Sequence, residues 1–220
     1  MNYKTIIHNL LSVVIVVFAG IFVFADSRAD EKGKKSDGEI RLIVRGDDIG
    51  FCHSANVGCI KSYRDGIMRS VEVMVPCPWF NEAVEMLNNN PGLDVGVHLT
   101  VTCEWDNLKW GPVVSKSEVP SLLDKDGFFY QRTTQEVDFP PNTGFKEANP
   151  NPKELEKELR AQIERALSKI SNVTHLSDHM GASSCTPEFR AVVEKLSREY
   201  NLPLSVPGTK KHAGSFVKST

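Results

Sequence analysis

Asp47, Asp48, His98 and His179 are the residues of this sequence whose types could together run a hydrolysis. Two neutral imidazoles and one carboxylate, His98, His179 and Asp48, make a three-ligand set that leaves positions open on a divalent ion. An ion bound this way lowers the pKa of water to about 7 and polarises a carbonyl oxygen. Asp47 would then be a second carboxylate outside the ligand set, able to take the proton from the attacking water. Two adjacent carboxylates repel when both ionise away from water, and a bound cation offsets that cost. Spacing alone is a weak signal. The three ligand candidates are far apart in the chain, unlike a local HExxH. Asp-Asp-x-Gly is often an ordinary turn, and a lone His on a strand is more often a hydrogen-bonded core residue.

The elements around these residues must therefore bring them together. The apolar run IRLIVR (40–45) reads as a buried strand ending just before the acidic pair. Ser54 looks like an N-cap for a helix from Ala55 to Asp65, closed by Gly66. RSVEVMV (69–75) is a second strand and WFNEAVEMLNNNPG a second helix. LDVGVHLTVT (93–102) is a third strand. The clearest helix is 151–170, with apolar positions at Leu155, Leu159, Ile163, Ala166, Leu167 and Ile170. A strand at 173–179, a helix from Pro187 to Tyr200 and a strand at 203–208 follow. Alternating strands and helices predict an α/β fold with a parallel sheet. In such sheets chemistry collects at the carboxyl ends of the strands. Asp47 and Asp48, His98, and Asp178 with His179 all fall there.

The N-terminus is a separate object. Lys4 precedes the almost wholly apolar run Leu10–Phe24, and Val23 and Ala25 fit a small-residue cleavage rule. Residues 1–25 are expected to be a signal peptide, with an uncleaved membrane anchor as the alternative. Residues 26–38 are then a flexible linker and 39–220 the catalytic domain. The chain is then expected to be secreted or periplasmic, or membrane-anchored if the segment stays uncleaved. A formal net charge of −2 over 220 residues gives no reason to expect a nucleic-acid partner. The five cysteines follow no metal-knuckle spacing and read mostly as small buried apolar residues.

The insert from Thr102 to Asn149 is too long for a plain connection. It carries Trp105, Trp110, Phe128, Phe129 and Tyr130, which either stack on sugar rings or form a satellite core.

The stretch VRGDDIGFCHSANVGCIKSYRDGIMRSVEVMV resembles the opening block of the YdjC-like carbohydrate deacetylases, the group containing the chitooligosaccharide deacetylases. The matches are Asp47, Asp48, Gly50, Asn56, Gly58, Gly66, Ile67 and Ser70. Gly96, His98, Leu99 and Thr100 match a second block, and Thr174, His175 and His179 a third. The resemblance implies an irregular parallel (β/α) barrel of the polysaccharide-deacetylase type. It also implies one divalent ion, Mg2+ or Zn2+, held by Asp48, His98 and His179, with Asp47 as base. The implied substrate is an N-acetylated oligosaccharide; another sugar esterase or amidase activity, or carbohydrate binding without turnover, are the alternatives. The chain differs from the family pattern in carrying Ser177-Asp178 where the family has Asp-Ser, and no block matches a late His that would protonate the leaving amine. A closed eight-stranded barrel usually runs to about 250 residues. The strands readable here are fewer than eight, so the expectation is a barrel incomplete at its C-terminal end, or a homo-oligomer that covers the open edge.

Overall fold

The computed structural model describes residues 42–205. The expected signal peptide and the linker lie outside the described residues.

Four parallel strands, β1 (Val44–Ile49), β2 (Met68–Val73), β3 (Asp94–Leu99) and β4 (Val173–Asp178), form one sheet in the order β1-β2-β3-β4. Helix α1 (His53–Arg64) joins β1 to β2, and α2 (Phe80–Asn88) joins β2 to β3. The long insert and α3 (Pro152–Lys169) join β3 to β4, and α4 (Pro187–Tyr200) follows. The late helix expected from Pro187 starts there, and the one expected over 151–170 runs from Pro152 to Lys169. Asn151 accepts from the Lys153 amide and Thr186 from that of Phe189, each just before a proline at the first helical position. For α1 the expected Ser54 cap is corrected. Cys52 holds the extended cap position, with no side-chain bond, and Ser54 lies inside the first turn.

The two sheet faces differ. Val71, Val73, Val95, Val97, Leu99 and Leu176 are fully buried and form a continuous core with Leu155, Leu159 and Ile163 of α3 and Leu196 of α4. Alternate residues put Glu72, Gly96, His98, His175 and Ser177 on the other face. That face is concave. Leu204 pairs beside β4, bonded through Leu176 N to Pro203 O and Ser205 N to Leu176 O. Across the sheet, Arg45 of β1 donates to Ser205 Oγ at 3.2 Å. In a flat sheet these two backbones would stand roughly 19 Å apart, so the sheet is strongly curled. Among the described residues it remains a four-stranded sheet and not a closed barrel. The expected strand at 203–208 is reduced to the Leu204 bridge, and residues from 206 onward lie outside the described region.

Two polar residues on the buried side of α3 tie down the chain after β3. Gln162 accepts from Thr100 N at 3.0 Å and donates to Thr100 O at 2.7 Å. Glu158 accepts from the amides of Val113 and Val114. Its burial pushes its carboxyl above the ordinary value despite those bonds.

Candidate metal centre

The expectation that β1 ends before the acidic pair is corrected: Asp47 and Asp48 lie within it. Register passes from Gly46 opposite Val71 to Ile49 opposite Val73, so three residue steps on β1 face two on β2. The bulge takes up the extra residue, with Asp48 in the left-handed region at φ 65°. Left-handed backbone is costly for an L-residue and is kept only where its surroundings impose it. In a regular strand two neighbouring side chains point to opposite faces; with the bulge, Asp48 faces His98 and His179 while Asp47 pairs with Arg45, which also reaches Glu72 on the concave face. Gly50 follows at φ 100°, and a Cβ there would sit 2.9 Å from Met74 O. Buried Asn56 accepts from Gly50 N at 2.6 Å and donates to Trp79 O and Glu82 Oε2, fixing the loop to α1 and to the start of α2.

Asp48 Oδ1 stands 3.5 Å from Nε2 of His98 and 3.3 Å from Nδ1 of His179. These atoms, one from each residue, lie within 4.8 Å of one another. A tetrahedral ion with bonds of about 2.0–2.1 Å separates its donor atoms by roughly 3.4 Å. Oδ1 is also buried without a partner of hydrogen-bonding geometry, an orphaned acceptor facing two imidazole nitrogens. The donor set and its spacing therefore fit a divalent ion.

In the metal-free site the charges act on one another. Burial pushes the Asp48 carboxyl upward, but its contact with His179 and the charges of His179, His98 and Arg45 outweigh burial and hold it below the ordinary value. Burial, then the charge of His179, holds His98 below the ordinary imidazole value. Burial also pulls His179 down, yet the Asp48 and Glu104 carboxylates beside its two nitrogens raise it to about 9.

Each imidazole is tied at its far nitrogen. His179 Nε2 lies 3.1 Å from Oε2 of Glu104, and His98 Nδ1 lies 2.7 Å from Ser177 Oγ. Glu104 is a site residue that sequence reasoning missed. The available signal was an acid just past the end of β3. Asp178, expected at the rim beside His179, turns away to accept from Ser183 N and Ser184 Oγ, capping the turn that carries His179. Asp47 points elsewhere than Asp48. Arg45 holds both of its oxygens, with Nε 2.9 Å from Oδ1 and Nη2 3.2 Å from Oδ2.

The two tryptophans separate. Trp110 is 3% exposed, donates from Nε1 to Thr102 O at 2.9 Å, and joins Phe129 and Phe145 in the core under the insert. Trp105 is 50% exposed and stacks on Phe51 at 5.2 Å between ring centroids. It follows Glu104 directly in the chain. All five cysteines are free.

Residues 41–218 match the protein family described as YdjC-like protein. A carbohydrate deacetylase of Brevibacillus brevis is 32% identical over 168 residues, covering 76% of this chain and 60% of that protein. A carbohydrate deacetylase of Listeria monocytogenes is 32% identical over 165 residues, covering 75% and 60%. A crystal structure from Enterococcus faecalis V583, provisionally described as a cellobiose-phosphate cleavage protein, is 29% identical with a TM-score of 0.63. That match covers 74% of this chain and 57% of the other. The chain thus spans about 60% of the length of the curated relatives it matches.

Proposed function

The chain belongs to the YdjC-like family, and on that premise we propose that it is a metal-dependent deacetylase removing N-acetyl groups from amino sugars in short oligosaccharides. The observation that carries this reading is the convergence of Asp48, His98 and His179 around an orphaned carboxylate oxygen. These three residues would hold Mg2+ or Zn2+. When bound, the ion supplies Lewis acidity, acidifying water and polarising a carbonyl. Asp47 takes the proton of the attacking water at its carboxylate, with Arg45 fixing the direction of that group. Glu104 keeps the His179 ring in place. The open face of Trp105, backed by Phe51, offers an apolar platform to a sugar ring. The apolar segment near the N-terminus supports export to the periplasm or beyond the cell.

The test is acetate release from N-acetylated chitooligosaccharides by the full chain, before and after chelation. Acetate should appear, disappear with chelator and return with one added divalent ion. No acetate from any acetylated oligosaccharide rejects the activity, and undiminished release after chelation rejects the metal.

A further inference from the structure

Glu72, on β2, is fully buried on the concave face, away from the three candidate ligands. Burial pushes its carboxyl up, but the bond and charge of His175, the Ser177 hydroxyl and Arg45 outweigh burial and hold it below the ordinary value. It is therefore an acceptor only at neutral pH. Its Oε1 lies 2.7 Å from His175 Nε2 and 3.6 Å from Arg45 Nε, and its Oε2 accepts from the Ser177 hydroxyl. Glu72, Gly96 and His175 stand in one row across β2, β3 and β4. A Cβ on Gly96 would collide with both Glu72 Oε2 and His175 Nε2. The glycine thus clears the path by which a β2 carboxylate reaches over β3 to β4.

The hydroxyl's proton count then fixes the next step. Ser177 has one hydroxyl proton, and it goes to Glu72. The other contact of that oxygen, 2.7 Å to His98 Nδ1, must be one in which it accepts. Nδ1 therefore carries the ring proton, and Nε2 presents a free lone pair 3.5 Å from Asp48 Oδ1. We propose that Glu72 is a positioning residue, acting through Ser177 to lock His98 in its Nδ1-protonated tautomer and present Nε2 to a cation shared with Asp48 and His179. This rests on the metal reading above. It adds that the affinity of the centre is set partly by a carboxylate that never touches the ion.

Two measurements on the full chain test it. In chelator-treated protein, imidazole ¹⁵N NMR should find His98 as the Nδ1–H form, and Ser177→Ala should convert it to a mixture of tautomers. In competition with a chromophoric chelator, Glu72→Gln and Ser177→Ala should each weaken zinc binding about ten- to a hundredfold. The double variant should be no worse than the weaker single one, because both changes break one chain. If Glu72→Gln fails to fold, judged by far-UV circular dichroism, the small Ser177→Ala change still decides through the tautomer. Wild-type affinity and tautomer in both variants overturn the proposal, and additive losses overturn the route through Ser177. Zinc uptake by no form of the chain, wild type included, rejects the metal reading itself and this proposal with it.

Discussion

Glu104 Oε2 lies 3.1 Å from Nε2 of His179, while Nδ1 of the same ring lies 3.3 Å from Asp48 Oδ1. The ring is held between two carboxylates, which is why its pKa rises to about 9 although burial opposes the charge. Without metal, His179 is a cation that neutralises two acids. With metal, that proton has to leave, because a ligand nitrogen needs its lone pair.

Two opposite pH trends should result. In chelator-treated protein, a raised folded-state pKa gives stability that is complete below the unfolded value near 6.5 and lost as pH rises through about 9. The melting temperature of the metal-free chain should therefore fall across that window. Apparent metal affinity should climb over the same window, by about tenfold per pH unit for one displaced proton. Calorimetry at a series of pH values checks both. A pH-independent affinity between 6.5 and 9 would mean that His179 gives up no proton on binding. Glu104→Gln removes one of the charges that raise His179, so it should shift both trends to lower pH.

Replacing either imidazole ligand should have a different signature. His98→Ala or His179→Ala should abolish uptake of one divalent ion per chain, measured by elemental analysis after dialysis. His98 is held by β3 and Ser177, and His179 by the turn that Asp178 caps, so the two losses test independent supports. Full occupancy in both variants would reject the ligand assignment.

The base is tested by keeping shape and removing proton affinity. Asp47→Asn should retain the metal and lower turnover by about two to four powers of ten. Arg45→Leu leaves the carboxylate but frees its orientation, so turnover should fall while metal content stays near one. Wild-type rates for Asp47→Asn would make Asp47 a partner of Arg45 and nothing more.

How far the sequence disclosed this site depends on the kind of interaction involved. The alternation of strands and helices, the apolar stripe of α3 and the proline opening α4 are local patterns and were readable. The end of β1 was not. Gly46, Asp47 and Gly50 resemble a turn, and only pairing with β2 reveals that the strand continues through a bulge. Glu72 and Glu104 were missed for related reasons. Glu72 is a single acid in an otherwise apolar strand, SVEVMV, and a buried charge needs a partner. That partner, His175, is distant in the chain and visible only after folding. Glu104 opens an insert with no periodicity, where one acid looks like any other.

The two tryptophans show the same limit and give the last test. Trp105 and Trp110 lie five positions apart in one aperiodic segment, yet one stacks openly on Phe51 and the other fills the core. Trp110→Ala leaves a cavity beside Phe129 and unpairs Thr102 O, so stability should drop by about 3–5 kcal/mol. Trp105→Ala exposes part of Phe51 but opens no cavity, so the melting temperature should change little. If its free face receives a sugar, this variant should bind N-acetylated oligosaccharides more weakly, with metal content unchanged. Chemical denaturation and isothermal titration on both variants separate the roles. Undiminished oligosaccharide affinity in Trp105→Ala would remove this ring from the binding surface and leave it as a cover over Phe51.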